Sequence, residues 1–414
     1  MKPFDTIKDR LFYGWIVIAD LLIIVSIIFG IRFCYGVFFK SIAAEFQLSR
    51  LATSAIFSTY MVIGCIFAIL GGWALDRYGP RVVLTLMGLF TGFSLVITSL
   101  TNAVWQLFFS YSLLLAIGTG ASFAVMAATA SRWFIKKRGL ALGIASSGEG
   151  LGIAVTAPLA ATFITGFGWR VAFIILGLIA ILVVCSLSQL LRKDPDAMGL
   201  YPDGSERPSV ETDQRKQDHE TPEGLSLLNA FKTSTFWHII AIYFLFSFSF
   251  LMVTTHIVPH ATDLGMTGPR AALILTLIGV TNTLGRLVMG GVSDRIGRKL
   301  SAGICAMLQF AALIFLAWSN EPWMFFLFAI GYGFGFGGLS TSVTAIIGDV
   351  FGSGNLGAIT GALVVGFALG AAVGPLVGGY IFDLSNDYFF AFLIGAAVVL
   401  TATIFVAMIK KEGE

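Results

Sequence analysis

Charge is scarce in this sequence. Lys, Arg, Asp and Glu together make up 12% of 414 residues, about half the share in an ordinary soluble domain. So thin a supply cannot cover a water-soluble fold of this size. It excludes a soluble enzyme, a nucleic-acid binder and a disordered chain, which needs high charge and low hydrophobicity. The charge that is present nearly balances, at +3, and argues for no partner of either sign. Cysteine is scarce too. Cys34, Cys65, Cys185 and Cys305 all lie in apolar segments, without metal-site spacing, which excludes a disulfide scaffold and leaves small buried hydrophobes. No cleavable leader is evident, because the first apolar run is too long for a signal-peptide core. No nucleophile–base pair, metal cluster or nucleotide motif stands out. The chain is therefore expected to be no enzyme and to use no cofactor or metal.

What the sequence has is apolar length. Hydrophobic residues make up 57% and mean hydropathy is +0.88. A stretch of about 20 apolar residues crosses a bilayer. Twelve such spans lie near 12–39, 53–75, 82–100, 105–130, 139–164, 169–191, 236–258, 271–292, 300–318, 323–347, 355–382 and 388–409. Residues 192–233 interrupt them, with 15 of the 49 charged residues in 42 positions and Pro195, Pro202, Pro208 and Pro222. The expected architecture is an all-α membrane protein with twelve transmembrane helices in two pseudo-symmetric six-helix bundles. Residues 1–191 form the first bundle, 192–233 a cytoplasmic linker and 234–414 the second. Placing both termini in the cytoplasm puts 20 Lys and Arg on that side and 4 on the other, as the positive-inside rule requires. The lipid bilayer is then the chain's surroundings, and nucleic acid no partner. The short termini and outer loops fit a plasma membrane of the bacterial inner-membrane kind.

The two bundles repeat at an offset of 218. Asp76-Arg77-Tyr78-Gly79 after span 2 becomes Asp294-Arg295-Ile296-Gly297 after span 8, and Gly139, Gly143, Gly148 and Gly152 become Gly357, Gly361, Gly366 and Gly370. Parallel six-span repeats are a transporter architecture, with substrate bound between the halves near the midplane. In span 11, Gly366, Gly370, Gly374 and Gly378 fall on one face, a pattern for close helix packing.

Only four ionisable acidic or basic residues lie well inside spans: Asp20, Arg32, Glu149 and Arg286. Each is expensive there, on the order of 2.5–3.5 kcal/mol by insertion scales. Arg286 stands about 12 Å above the end of span 8 at 1.5 Å per residue. That is too deep to reach the surface easily. Asn282, four residues earlier, shares its face. The guanidinium offers a two-pronged fork to a carboxylate, and the amide can take a hydroxyl or second oxygen. Arg286 with Asn282 is thus a candidate carboxylate site, a structural ion pair being the plainer alternative. Glu149 lies about 15 Å deep in span 5 and is a candidate proton carrier, against a packing glutamate bonded to a hydroxyl. Asp20 is a second proton candidate. His256, with His260 toward the end of span 7, could bond the substrate or gate protons. Tyr332, in a Gly-rich stretch of span 10, is a further candidate for the substrate site. Arg32, late in span 1, reads as a residue reaching for the surface or as an attractor of substrate anions.

Gly72-Trp73-Ala74-Leu75-Asp76-Arg77-Tyr78-Gly79-Pro80-Arg81 and its copy Gly291-Val292-Ser293-Asp294-Arg295-Ile296-Gly297-Arg298-Lys299 resemble the loop signature of the major facilitator superfamily. Tyr13-Gly14-Trp15, Tyr35-Gly36-Val37-Phe38-Phe39, Arg132-Trp133-Phe134 and the pair Asn282 and Arg286 are similar to the monocarboxylate transporter and oxalate:formate antiporter group within it. The resemblance implies the major facilitator fold and alternating access. It implies that Asp76 faces the N-terminus of span 11 and Asp294 that of span 5, so that Asp76, Arg77, Asp294 and Arg295 gate the cytoplasmic side. It also makes spans 5 and 8 neighbours, which would let Glu149 and Arg286 pair until a proton releases the arginine. Animal relatives carry an aspartate where Asn282 stands, and oxalate carriers a span 11 lysine that is absent here. The expectation is a carrier of a small monocarboxylate anion such as lactate, pyruvate, acetate or formate together with a proton. The alternatives are an oxalate:formate type exchanger and a membrane sensor without turnover. A carrier of cationic drugs is disfavoured by the deep arginine.

Overall fold

The computed structural model describes residues 12–204, 227–351 and 356–409. Among the described residues every regular element is a helix, and ten helices are long and apolar enough to cross a membrane. They run Tyr13–Glu45, Arg50–Ser99, Val104–Trp133, Arg138–Ser188, Ser234–Asp263, Gly268–Ile296, Arg298–Ala317, Pro322–Phe351, Gly361–Ser385 and Phe389–Met408. Two of them, at 50 and 51 residues, are far longer than one crossing requires. Each is broken by a glycine outside helical geometry, Gly79 at φ 80°, ψ 168° and Gly168 at φ 82°, ψ 162°. Arg50–Ser99 therefore covers the stretches expected as spans 2 and 3, and Arg138–Ser188 those expected as spans 5 and 6. Of the interrupting stretch, residues 205–226 lie outside the described residues.

The backbone repeats more faithfully than the sequence. Outside the polar stretch, positive φ occurs at Gln47, Gly79, Gly168, Gly265, Gly297 and Asn386. At the offset of 218 these are three pairs: Gln47 with Gly265, Gly79 with Gly297, and Gly168 with Asn386. They end spans 1 and 7, 2 and 8, and 5 and 11 at equivalent points. A positive φ there takes the chain out of the helix and turns it back. Only the Gly79–Gly297 pair keeps its residue type. At 386, opposite Gly168, an asparagine takes the positive φ, which its short polar side chain tolerates.

Small residues set how closely helices approach. The glycine face of span 11 packs on span 7: a Cβ at Gly366 would stand 2.8 Å from the Ile240 carbonyl oxygen, and Gly370 and Gly374 meet the Phe244 and Phe248 carbonyls. The stripe is a packing device. Spans 5 and 8 touch through Gly150 and Gly279, each against the other's carbonyl.

The two ends of the bundle differ. At the end bearing Arg50 and Asp383 the repeats close on each other: Gly36 of span 1 meets the Thr254 and Thr255 carbonyls, and Gly379 of span 11 stands 2.7 Å from the Arg50 carbonyl by its would-be Cβ. Gly139, Gly143, Gly291 and Gly361 at the other end, rich in Lys and Arg, have no neighbour within 4 Å of a Cβ position, and neither do Gly166, Gly168, Gly265 and Gly268 in the turns of the first end, so the difference lies in the contacts between repeats. Trp73 is exposed there. Among the described residues, no ion pair joins the repeats at this basic end. The bundle is shut at one end and splayed at the other.

Candidate functional site

The close crossing of spans 5 and 8 places Glu149 opposite Arg286. Glu149 lies eleven residues into Arg138–Ser188 and Arg286 ten residues from the end of Gly268–Ile296. Both therefore stand about 15–16 Å from the basic end by helix rise. Arg286 Nη2 bonds Glu149 Oε2 at 2.5 Å, and Arg286 Nε donates to Asn282 Oδ1 at 2.9 Å. Thr276 Oγ1 donates to the Ala154 carbonyl at 3.0 Å and holds the register of the crossing. The two charged side chains are only 14% and 13% exposed. In such a place a lone charge costs several kcal/mol, so each is the other's compensation.

Asn282 is fully buried. Its oxygen orients the guanidinium, and its Nδ2 has no hydrogen-bond partner. An unmade bond on a buried amide costs roughly 1–3 kcal/mol, which marks the group as a donor for an incoming acceptor. Gly337 of span 10 packs on the Asn282 carbonyl and fixes that stretch of span 8. Tyr332, also in span 10 and fully buried, bonds Ser249 of span 7 at 3.1 Å, so its hydroxyl is spent within the second repeat.

The other candidates are dispersed. His256 is fully buried at the shut end. Its Nε2 lies 2.8 Å from the Pro375 carbonyl and 3.3 Å from Ser54 Oγ, and its Nδ1 lies 3.1 Å from Tyr388 Oη. The carbonyl accepts, so Nε2 carries the proton and Nδ1 takes the tyrosine hydroxyl. Both ring nitrogens are engaged, Nδ1 within the second repeat and Nε2 also reaching Ser54 across the repeat boundary, at a distance from the Arg286 level. Asp20 is 4% exposed and its Oδ2 has no partner. Arg32 corrects the surface-reaching alternative. It sits in the middle of the 33-residue helix Tyr13–Glu45 and turns inward. Its Nη2 is 3.2 Å from Met61 Sδ, its carbon lies over the Phe29, Phe33 and Tyr60 rings, and its buried Nε has no partner. Among the described residues no carboxylate pairs with it.

At the basic end the signature residues bond within their own repeats. Asp76 Oδ1 accepts from Arg132 Nη2 at 2.8 Å, Lys193 Nζ donates to the Asp76 carbonyl at 3.0 Å, and Arg77 lies over Trp73 and Tyr78. Asp294 is 3.6 Å from Arg298, which holds Asp349 at 3.0 Å, and Arg295 is exposed. Among the described residues, Asp76 makes no contact with span 11 and Asp294 none with span 5. Sequence reasoning also missed a clasp in the polar stretch. Asp203 accepts the backbone N–H groups of Ile135 and Lys136 at 3.0 and 2.8 Å and of Lys137 at 3.2 Å, just before span 5. Desolvation works to raise its carboxyl, but the three N–H donors and the Lys136 charge outweigh it and hold the pKa below the usual value. The visible signal was an acidic residue in a Pro-Asp-Gly turn. A further missed cluster, Lys40, Arg50, Asp263 and Asp383, gathers at the shut end.

The family model for the Major Facilitator Superfamily matches residues 21–269 and 257–414. Monocarboxylate transporter 12 of Xenopus laevis is 24% identical over 417 residues, which covers 96% of this chain and 89% of that protein. Monocarboxylate transporter 11 of Mus musculus is 26% identical, covering 94% and 86%. A bacterial homologue of the human lysosomal transporter Spinster, in an inward-facing and occupied conformation, superposes with a TM-score of 0.74 at 16% identity, covering 96% of this chain and 97% of that one. Its unoccupied form gives 0.72. At that identity the superposition speaks for the fold.

Proposed function

The chain belongs to the Major Facilitator Superfamily, and from that premise we propose that this multi-pass membrane transporter carries a small monocarboxylate together with a proton by alternating access. The observation that carries the reading is the Arg286–Glu149 pair, which bridges the two repeats at mid-depth. An arginine already satisfied by a carboxylate is a site shaped for one. Protonation of Glu149 removes its charge and frees the fork of Arg286 for the substrate carboxylate, while the unpartnered Nδ2 of Asn282 takes an oxygen on the neighbouring carbon. One proton and one anion then enter together without leaving a lone charge in the membrane. Arg32, a mid-helix cation without a carboxylate partner among the described residues, adds positive potential that draws the anion inward. His256 braces the shut end. Tyr332 shapes the wall beside Ser249, and Asp20 is a secondary proton site. The names of the relatives support the substrate class.

With the basic end in the cytoplasm, the termini are cytoplasmic, residues 192–233 link the two bundles on that side, and the structure is open inward at the plasma membrane. Asp76, Arg77, Asp294 and Arg295 gate that mouth once it closes. The reading is tested by uptake of labelled lactate, formate and oxalate into proteoliposomes, with and without a pH gradient, for wild type and Arg286→Ala. Gradient-driven uptake of lactate or formate that the variant loses is expected. Oxalate flux that needs internal formate and ignores the gradient would instead establish an exchanger, and binding without flux a sensor.

A further inference from the structure

Spans 2 and 11 each end in a carboxylate that opposes their own helix. Asp76 lies three residues before Gly79 ends span 2, and Asp383 lies three residues before Asn386 ends span 11. A helix C-terminus carries partial negative charge, so a carboxylate in its last turn is misplaced for its own helix and suited to another's N-terminus. Asp383 has found one. Its Oδ1 accepts the Arg50 N–H at 2.8 Å and its Oδ2 the Leu51 N–H at 2.9 Å. These are among the first donors of span 2, which have no partner inside their own helix. The contact crosses from the second repeat to the first.

The surroundings make it a latch. Gly379, one turn before Asp383, lets the backbones of spans 2 and 11 touch. The Arg50 guanidinium lies 4.6 Å over the Phe382 ring and grips both oxygens of Asp263 on span 7, at 3.1 and 3.0 Å. Lys40 on span 1 bonds the same Asp263 at 2.6 Å. Every one of these groups has its partner across the repeat boundary, so tilting one repeat against the other breaks them together.

We propose that Asp383 is the latch of the shut end, and that spans 2 and 11 exchange one carboxylate-to-helix-terminus contact for its mirror image as the protein changes state. In this structure Asp383 caps span 2 while Asp76 is parked on Arg132 of its own repeat. In the opposite state Asp383 is free and Asp76 reaches span 11. Rigid helices that pivot about their crossing cannot make both contacts at once. The proposal rests on alternating access but not on the substrate.

The test is thiol labelling of the purified full-length protein in nanodiscs. Cys34, Cys65, Cys185 and Cys305 are replaced by Ser, and Thr255→Cys, at a position 2% exposed at the shut end, serves as reporter. Loss of one helix cap is worth about 0.5–2 kcal/mol. Asp383→Asn should therefore label on the order of two to thirty times faster, and Asp383→Glu should stay near the parent rate. Asp76→Asn should label more slowly, because it weakens the opposite state. An unchanged rate in Asp383→Asn, a Glu variant as fast as Asn, or both Asn variants shifting the same way would each overturn the latch. A protein that labels as expected and moves no carboxylate refutes the substrate reading and leaves the latch standing.

Discussion

Replacing Glu149 by Gln keeps the shape of the site and deletes one charge, which imitates the protonated carrier. In the wild type a substrate carboxylate must displace Glu149 from Arg286, at 2.5 Å and with both side chains about seven-eighths buried. A hydrogen bond to a charged group is worth about 1.5–3 kcal/mol, and 1.4 kcal/mol is tenfold in affinity. Glu149→Gln is therefore expected to bind lactate or pyruvate about 10 to 100 times more tightly than wild type at pH 7.5. Its affinity should be flat between pH 6 and 8, whereas the wild type tightens as pH falls. The unliganded variant leaves Arg286 without a counter-charge, a loss on the order of 3–5 kcal/mol for a buried pair. Its melting temperature should drop, and saturating substrate should restore it by supplying the missing carboxylate. Titration calorimetry and thermal unfolding with and without substrate read both effects. A pH-sensitive dye inside proteoliposomes reads the proton. If Glu149→Gln still acidifies the lumen during substrate uptake, or keeps the wild-type pH slope in binding, the pair does not couple proton to anion.

Other expected outcomes follow from single contacts. Arg286→Lys keeps the charge but loses the fork to Asn282 and Glu149, so labelled uptake should fall at least about tenfold; wild-type uptake would show that a point charge suffices. Gly36→Val drives a side chain into the Thr254 and Thr255 carbonyls, so the shut end cannot close. Folded protein should still be recovered, with a Thr255→Cys reporter labelling fast and transport lost. Asp203→Ala removes three accepted N–H bonds ahead of span 5, and trypsin should cut at Lys136 or Lys137 about fivefold faster, the worth of a helix cap of about 1 kcal/mol. The folded pKa of Asp203 is lowered, so its contribution is complete above the ordinary carboxylate pKa and is lost as pH falls through the lower folded value. Protection of that loop should accordingly hold at pH 5–8 and fade only in strong acid, measured by hydrogen exchange; fading near neutrality would refute the assignment.

Apolar length, the 218-residue offset and the lysine and arginine distribution were legible because they depend on local composition, which water and lipid read directly. So was the Arg286–Asn282 pair, since four residues along a helix return to one face. The Asp76 and Asp294 signature was equally legible, but not the state it would be found in, because partners at a splayed end depend on how two repeats tilt. Arg32 misled in one respect. Its place late in span 1 suggested a surface, and only the continuation of the helix to Glu45 set it in the middle of a longer helix, against Met61 and Tyr60. The repeat itself runs deeper in backbone than in residues. Gln47 and Gly265, or Gly168 and Asn386, share a positive φ that no comparison of side chains would pair. His256, Asp263 and Asp383 show the remaining gap. Each is a polar residue near a helix end with nothing in its neighbourhood of sequence to say whom it meets, and its partners Ser54, Arg50 and Leu51 lie in the other repeat. Burial, topology and the candidate anion site follow from the order of residues along each helix. Which end is shut, and by which contacts, was decided only when the two repeats were packed together, because those contacts exist in one tilt of the repeats and not in the other.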